Sequence, residues 1–300
     1  MRTLVHLSDL HFGRVDESLI EPVISTVTGL KPDVVVVSGD LTQRARSHQF
    51  EEAREFLDAL PSPQIIVPGN HDVPLHNVFA RFFQPLDKYR RYITDDLNPF
   101  HADEELAVLG INTARSLTIK DGRINEEQIG SIRQRLCEYP DEVTKIIVTH
   151  HPFELPEGHH REEDLVNRAE LAMEALARCG ADVLLSGHLH LSHTGFTSTR
   201  YKIAGHSALI ISAGTATSTR GRGETNSFNL IRIKHPFINV ERLSWQPERG
   251  VFATSSSEHF KQTSEGWQRV PDEMAADIVY AEETAGDEAR LGGERTRTQD

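Results

Sequence analysis

Short aliphatic runs recur along the first two thirds of the chain, and polar residues follow each one abruptly. Residues 3–7, 34–37, 65–67, 106–111, 146–149 and 183–185 have this form. Such runs, apolar without alternation, predict strands buried on both faces. Between them lie stretches with apolar residues at helical spacing. Residues 17–29 put Leu19, Ile20, Val23, Ile24 and Val27 on one stripe. A second helix is expected from Ser47, read as its N-cap, with Phe50, Ala53, Phe56, Leu57 and Leu60 facing inward. Asn125 and Gln128 have the spacing of a reciprocal helix cap, and residues 162–179 read as a helix closed by Gly180. Strands alternating with helices predict an α/β fold.

The pattern changes in three places. Residues 73–100 carry Phe79, Phe82, Phe83, Tyr89 and Tyr92 among arginines and prolines. They read as irregular helical turns in a lid-like insertion, serving as a substrate wall or as a surface helix pair packed by its aromatics. After residue 190 the chain turns to β, with strands expected at 194–199, 209–212, 227–233 and 238–243. Residues 271–300 have almost no large apolar side chains, and read as an acidic, disordered tail. The expected organisation is a domain over residues 1–247, an extension over 248–270 and the tail over 271–300.

At 300 residues the chain has room for a full core. Its net charge is −13, and the tail, with nine acidic residues and three arginines, carries −6 of it. That balance argues against nucleic acid as a partner, because phosphate contacts need a basic face. A phosphate-bearing substrate stays open, since bound metal reverses the local sign. Cys137 and Cys179 fall in helix-like segments and read as two reduced thiols. No charged-then-apolar leader precedes the first strand, and no run approaches the ~20 apolar residues of a membrane helix. The expectation is a cytoplasmic enzyme with no membrane span; the oligomeric state is left open.

The polar residues that end the apolar runs are not a random sample. The runs close on Asp9 and His11, on Asp40, on Asn70 and His71, on His150, and on His188 and His190. In open α/β sheets, sites form at the carboxyl ends of strands. Asp9 and His11 are two apart and share a face of an extended backbone. Each pair taken singly also reads as an ordinary polar turn; five such clusters, each closing a buried strand, do not. Two aspartates, an asparagine and four histidines are too many ligands for one ion and suit two that share a carboxylate. Mixed histidine and carboxylate ligation fits manganese, iron, zinc or similar transition metals, divalent or of mixed valence. Two such ions clamp an in-line displacement at phosphorus.

The series Asp9-x-His11, Gly39-Asp40, Gly69-Asn70-His71-Asp72, His150-His151-Pro152 and Gly187-His188-Leu189-His190 resembles the five-motif signature of the calcineurin-like metallophosphoesterases. The resemblance runs from about residue 3 to residue 243. It implies two mixed β-sheets packed face to face and flanked by helices, a four-layer αββα sandwich. It also implies that Asp9, His11, Asp40 and His190 hold one ion and that Asp40, Asn70, His150 and His188 hold the other, with Asp40 bridging. His71 would bind no metal; it would stabilise the transition state and protonate the leaving oxygen. His151 would sit beside the ligands or on the substrate side. Gln43 stands where the family's protein phosphatases have an aspartate that orients this histidine, and Asp72 where they have glutamate.

The segments around Asp9 and Asp40 resemble the bacterial class III cyclic nucleotide phosphodiesterase branch. That implies attack of a metal-bridging hydroxide on small phosphodiesters, cyclic AMP among them. Arg220 and Arg222, in a glycine-rich loop after a late strand, are candidate phosphate contacts. A lipid-precursor sugar-nucleotide pyrophosphatase and a nuclease of the same superfamily are the rival enzymes. A non-catalytic metal-binding scaffold is the rival of another class, disfavoured because His71 and all seven ligand positions are present.

Overall fold

The computed structural model describes residues 1–75, 78–115, 121–203, 205–221 and 223–271. The chain opens as β1 (Arg2–Leu7), α1 (Ile20–Leu30), β2 (Val34–Ser38), α2 (Ser47–Asp58) and β3 (Gln64–Val67). The short helices α3 (Val78–Phe83) and α4 (Asp87–Tyr92) follow, then β4 (Phe100–Ala102) and β5 (Leu106–Gly110). Next come β6 (Gly122–Arg123), α5 (Glu126–Leu136), β7 (Thr144–Val148), β8 (Val166–Asn167), α6 (Ala169–Arg178) and β9 (Val183–Ser186). The remainder is β: β10 (His193–Phe196), β11 (Leu209–Ser212), β12 (Ser227–Lys234), β13 (Phe237–Gln246), β14 (Val251–Thr263) and β15 (Gly266–Val270).

Two large sheets result. One runs β15-β14-β13-β12-β1-β2-β3 and the other β10-β11-β9-β7-β5-β4. Within the first, β1, β2 and β3 are parallel, with Leu7 opposite Val37 and Ser38 opposite Val67. Within the second, β7 is parallel to β9, with Val148 opposite Leu185. Parallel neighbours end at the same edge, so the polar residues after each strand are gathered there.

The valine run of β2 explains the layering. Val34 and Val36 join Leu4, Ile65, Val108, Ile146, Val183 and Ile211 in the core between the sheets. Val35 and Val37 point the other way, into a core with Val23, Val27, Phe50 and Phe56 of α1 and α2. On the far side, Leu109, Ile147 and Leu184 pack against Ile129, Ile132, Ala172 and Leu176 of α5 and α6. Both faces of each central strand are therefore buried, as unalternated runs require. The architecture is the expected four-layer sandwich, helices–sheet–sheet–helices.

Several expectations are corrected. Ser47 is the first residue of α2 and not its cap; the side-chain oxygen of Gln49 instead accepts the backbone N–H groups of Arg44 and Arg46. The helix expected over 162–179 begins only at Ala169, because residues 162–164 form a single 3₁₀ turn and Val166–Asn167 a short strand. Residues 248–270 are not an appendage: β14 pairs with β13 over its length, and β15 closes the sheet edge. Cys137 and Cys179 are not reduced thiols but a disulfide, with Cα atoms 4.3 Å apart. They cap the C-terminal ends of α5 and α6, and the packing of those helices brings the two ends together. Of the tail expected over residues 271–300, residues 272–300 lie outside the described residues.

Residues 73–100 contain two short helices whose aromatics divide between core and surface. Tyr89 is fully buried and donates its hydroxyl to the carbonyl of Ile66 at 3.0 Å, which ties α4 to β3. Phe79, Phe82 and Phe83 on α3 remain exposed.

Candidate metal centre

The turns after β1, β2 and β9 have an unusual backbone. Asp9, His11, Asp40, His188 and His190 all have positive φ, between +52° and +71°. Few non-glycine residues adopt this region, Asp and His more readily than most, and such conformations gather at functional sites. Gly39 and Gly69 make the close approach possible. A Cβ on Gly39 would lie 2.6 Å from His150 Nδ1, and one on Gly69 would lie 2.1 Å from Asp40 Oδ1.

These turns converge across the sheet edge. The ligand atoms of Asp9, His11, Asp40 and His190 lie within 4.8 Å of one another. His190 Nε2 is 3.5 Å from Asp9 Oδ1, and His11 Nε2 is 3.6 Å from the same oxygen and 3.7 Å from Asp40 Oδ2. On the other side of Asp40, its Oδ1 lies 3.4 Å from His150 Nε2. His150 Nε2 and His188 Nδ1 are each 3.1 Å from Asn70 Oδ1 and 3.3 Å from each other. The two groups thus share Asp40 and draw on both sheets: β1, β2 and β3 from one, β7 and β9 from the other.

The donor set fits metal ions. Imidazole nitrogens of His11 and His190 face each other at 3.3 Å, and those of His150 and His188 do the same. Donors about 2.0–2.2 Å from a common ion lie about 3.0–3.6 Å from one another. Asp9 Oδ1 is buried without a hydrogen-bond partner. An acceptor so placed costs about 1–3 kcal/mol unless something satisfies it, and a cation would do so.

Electrostatics point the same way. Burial would raise the Asp40 carboxyl, but the neighbouring His150 and His71 rings outweigh it and hold the group well below the usual carboxylate range. Burial likewise opposes ionisation of Asp9, and the neighbouring His190 and His11 rings overcome it. For His150 burial lowers the pKa, yet the Asp40 carboxylate raises it to about 9. Two buried ionised carboxylates among imidazoles call for compensating positive charge.

His71 stands beside the bridge. Its backbone N–H donates to Asp40 Oδ1 at 2.8 Å. Its ring meets that of His11 edge-on, with centroids 5.0 Å apart. Nδ1 lies 2.8 Å from the main-chain carbonyl of Gln43, and Arg220 Nη1 lies 2.9 Å from Nε2. A guanidinium only donates, so Nε2 accepts and Nδ1 carries the hydrogen. The backbone of Gln43 therefore orients the ring. His151 is fully buried, with Nδ1 2.8 Å from the Thr113 hydroxyl and its ring 4.6 Å from that of His188. A ring nitrogen of His151 lies within 4.8 Å of those of His150 and His188, so it belongs to the same cluster of potential metal donors. Arg222 lies outside the described residues.

Two aspartates were not singled out as site residues. Asp72 accepts the backbone N–H groups of Leu41, Thr42 and Gly69 at 2.8–3.1 Å, tying the β2 and β3 turns together. Burial and the charge of Asp40 raise its carboxyl to about 6. Its place directly after His71 was its only signal. Asp164 Oδ1 lies 3.5 Å from His188 Nε2, and its Oδ2 is 2.8 Å from His159 Nε2. It sits in an acidic run that reads as the first turn of a helix, so nothing in the sequence marked it.

Comparison with known proteins agrees with this geometry. The family model for calcineurin-like phosphoesterases matches residues 2–192. A glycerophosphodiester phosphodiesterase of Enterobacter lignolyticus, GpdQ, is 29% identical over 165 residues, covering 51% of this chain and 58% of that protein. The 3′,5′-cyclic adenosine monophosphate phosphodiesterase CpdA of Escherichia coli K12 is 23% identical over 201 residues, covering 62% and 69%. The match with GpdQ thus spans less than two thirds of that relative's length. A dimetal phosphatase of Danio rerio shares the fold with a TM-score of 0.60 at 13% identity, over 84% of this chain and 98% of that one.

Proposed function

The chain belongs to the calcineurin-like phosphoesterase family, and from that premise we propose that it is a metal-dependent phosphodiesterase acting on small phosphodiesters, cyclic nucleotides among them. The observation that carries the reading is the pair of donor groups joined at Asp40, with His71 and Arg220 beside the junction. Asp9, His11, Asp40 and His190 would hold one ion and Asp40, Asn70, His150 and His188 the other. Bound there, divalent ions of the manganese, iron or zinc kind neutralise phosphoryl charge and make water a nucleophile at neutral pH.

The chain's own residues supply the rest. Arg220 turns its guanidinium from His71 to a non-bridging phosphoryl oxygen, a charge-assisted contact. With Nδ1 anchored on Gln43, Nε2 of His71 is freed when Arg220 turns away; it takes up a proton from solvent and, as the imidazolium, hands that proton to the leaving oxygen. The buried turns around Asp40 keep both groups in fixed register with the ions.

Small diesters are supported by the relatives, both named for diester hydrolysis, and by a folded part with no excess of basic charge. The test compares bis-p-nitrophenyl phosphate, p-nitrophenyl phosphate and cyclic AMP, with manganese and with chelator. Chelator-sensitive cleavage of the diesters supports the reading, and cleavage of the monoester alone contradicts it.

A further inference from the structure

We propose that Asp164, anchored by His159, is a positioning residue that sets the tautomer and orientation of His188 for metal binding. The inference rests on the two-metal reading above.

His188 sits at φ +71°, a left-handed conformation uncommon among non-glycine residues. Its ring has two differently employed nitrogens. Nδ1 faces Asn70 Oδ1 and His150 Nε2, inside the donor group. Nε2 faces Asp164 Oδ1 at 3.5 Å, long for a hydrogen bond and within ion-pair reach. A carboxylate beside Nε2 keeps the hydrogen on that nitrogen and leaves the Nδ1 lone pair for a cation.

Asp164 is itself secured. Its side chain is 5% exposed, and its second oxygen accepts from His159 Nε2 at 2.8 Å. Both carboxylate oxygens are therefore committed to imidazoles. A pair that served only to pin the loop would need His159 alone. The 3₁₀ turn at Glu162–Asp164 interrupts what the sequence reads as helix, and in this broken segment the Asp164 side chain meets His188.

His150, the other imidazole of this donor group, has the same kind of support, with Nδ1 2.8 Å from the Ser38 carbonyl. His11 and His190 have none: the Nδ1 of each is buried without a hydrogen-bond partner. Loss of Asp164 should therefore weaken one ion and spare the other.

The test titrates manganese(II) into chelator-treated full-length protein and reads free ion by electron paramagnetic resonance. Wild type, Asp164→Asn, His159→Gln, His188→Ala and the Asp164→Asn/His188→Ala double variant are compared. The expected result is two ions on wild type, with one of the two weakened about 10–100-fold in Asp164→Asn and by a smaller factor in His159→Gln. In the His188→Ala background the Asp164 change should add nothing. A residue that merely braces the loop would weaken both ions, or would still act when His188 is gone, and either result overturns the proposal. Unchanged binding of both ions in Asp164→Asn overturns it as well. Two ions on wild type without diester hydrolysis would overturn the activity reading, while the titration would still decide the role of Asp164.

Discussion

The Nδ1 nitrogen of His71 donates to the main-chain carbonyl of Gln43 at 2.8 Å. The Gln43 side-chain amide is farther away, with Nε2 3.3 Å from the same nitrogen. The catalytic ring proposed here is thus oriented by backbone at a position where the family's protein phosphatases have a carboxylate.

It follows that the Gln43 side chain is dispensable. Gln43→Ala should lower kcat on bis-p-nitrophenyl phosphate by less than about tenfold, the worth of one neutral hydrogen bond. His71→Ala should lower it by about 10²–10⁴, the range for a lost general acid. Equal losses in the two variants would refute orientation by the backbone.

Arg220 is expected to bind substrate through a charged hydrogen bond worth about 1.5–3 kcal/mol. Arg220→Ala should therefore cut kcat/KM for the diester by about 10–100-fold, and Arg220→Lys should recover only part of it. Steady-state kinetics decide this, and unchanged kcat/KM in Arg220→Ala removes the residue from the substrate's reach.

Asp182 makes stability depend on pH. Burial raises its carboxyl from 3.8 to about 6, although the Lys145 backbone, Gln262 and Trp267 all donate to it. A raised folded pKa means that the unfolded chain ionises first as pH rises. The contribution is thus fully present below pH 3.8 and lost by about pH 6. Relative to Asp182→Asn, wild type should lose roughly 2 kcal/mol of unfolding free energy between pH 4 and pH 7. Urea unfolding of both proteins at pH 4 and pH 7 measures it, and parallel changes in the two would count against a raised Asp182.

The disulfide closes a loop with a sequence separation of 42. Chain entropy assigns such a closure about 4 kcal/mol, so Cys137→Ser should be destabilised by up to that amount. Thiol titration of the denatured, unreduced protein should find no free thiol, whereas two thiols would show the pair to be reduced.

What the sequence made legible is the part in which chemistry follows a buried run. The ends of β1, β2, β3, β7 and β9 announce Asp9, His11, Asp40, Asn70, His150, His188 and His190, because a polar cluster after a continuous aliphatic strand is costly unless it is used. What stayed hidden depends on contacts between distant segments. Asp164 meets His188 only after the chain between β7 and α6 breaks its helical pattern. In β14 only Phe252 and Phe260 are buried, so hydrophobic periodicity there is nearly silent. The cysteines meet because two helix ends do, which no local pattern records. The left-handed backbone at Asp9, His11 and Asp40 suits residue types that tolerate it better than most, but no local pattern marks where it falls.

The most direct test of the account counts bound manganese per chain in wild type and Asp40→Asn and measures bis-p-nitrophenyl phosphate hydrolysis on the same samples. The account predicts two ions and chelator-sensitive hydrolysis in wild type. In the variant it predicts no more than one ion and at least about 100-fold less activity, because the shared carboxylate belongs to both donor groups. Two ions and undiminished hydrolysis in Asp40→Asn would contradict a centre built on Asp40.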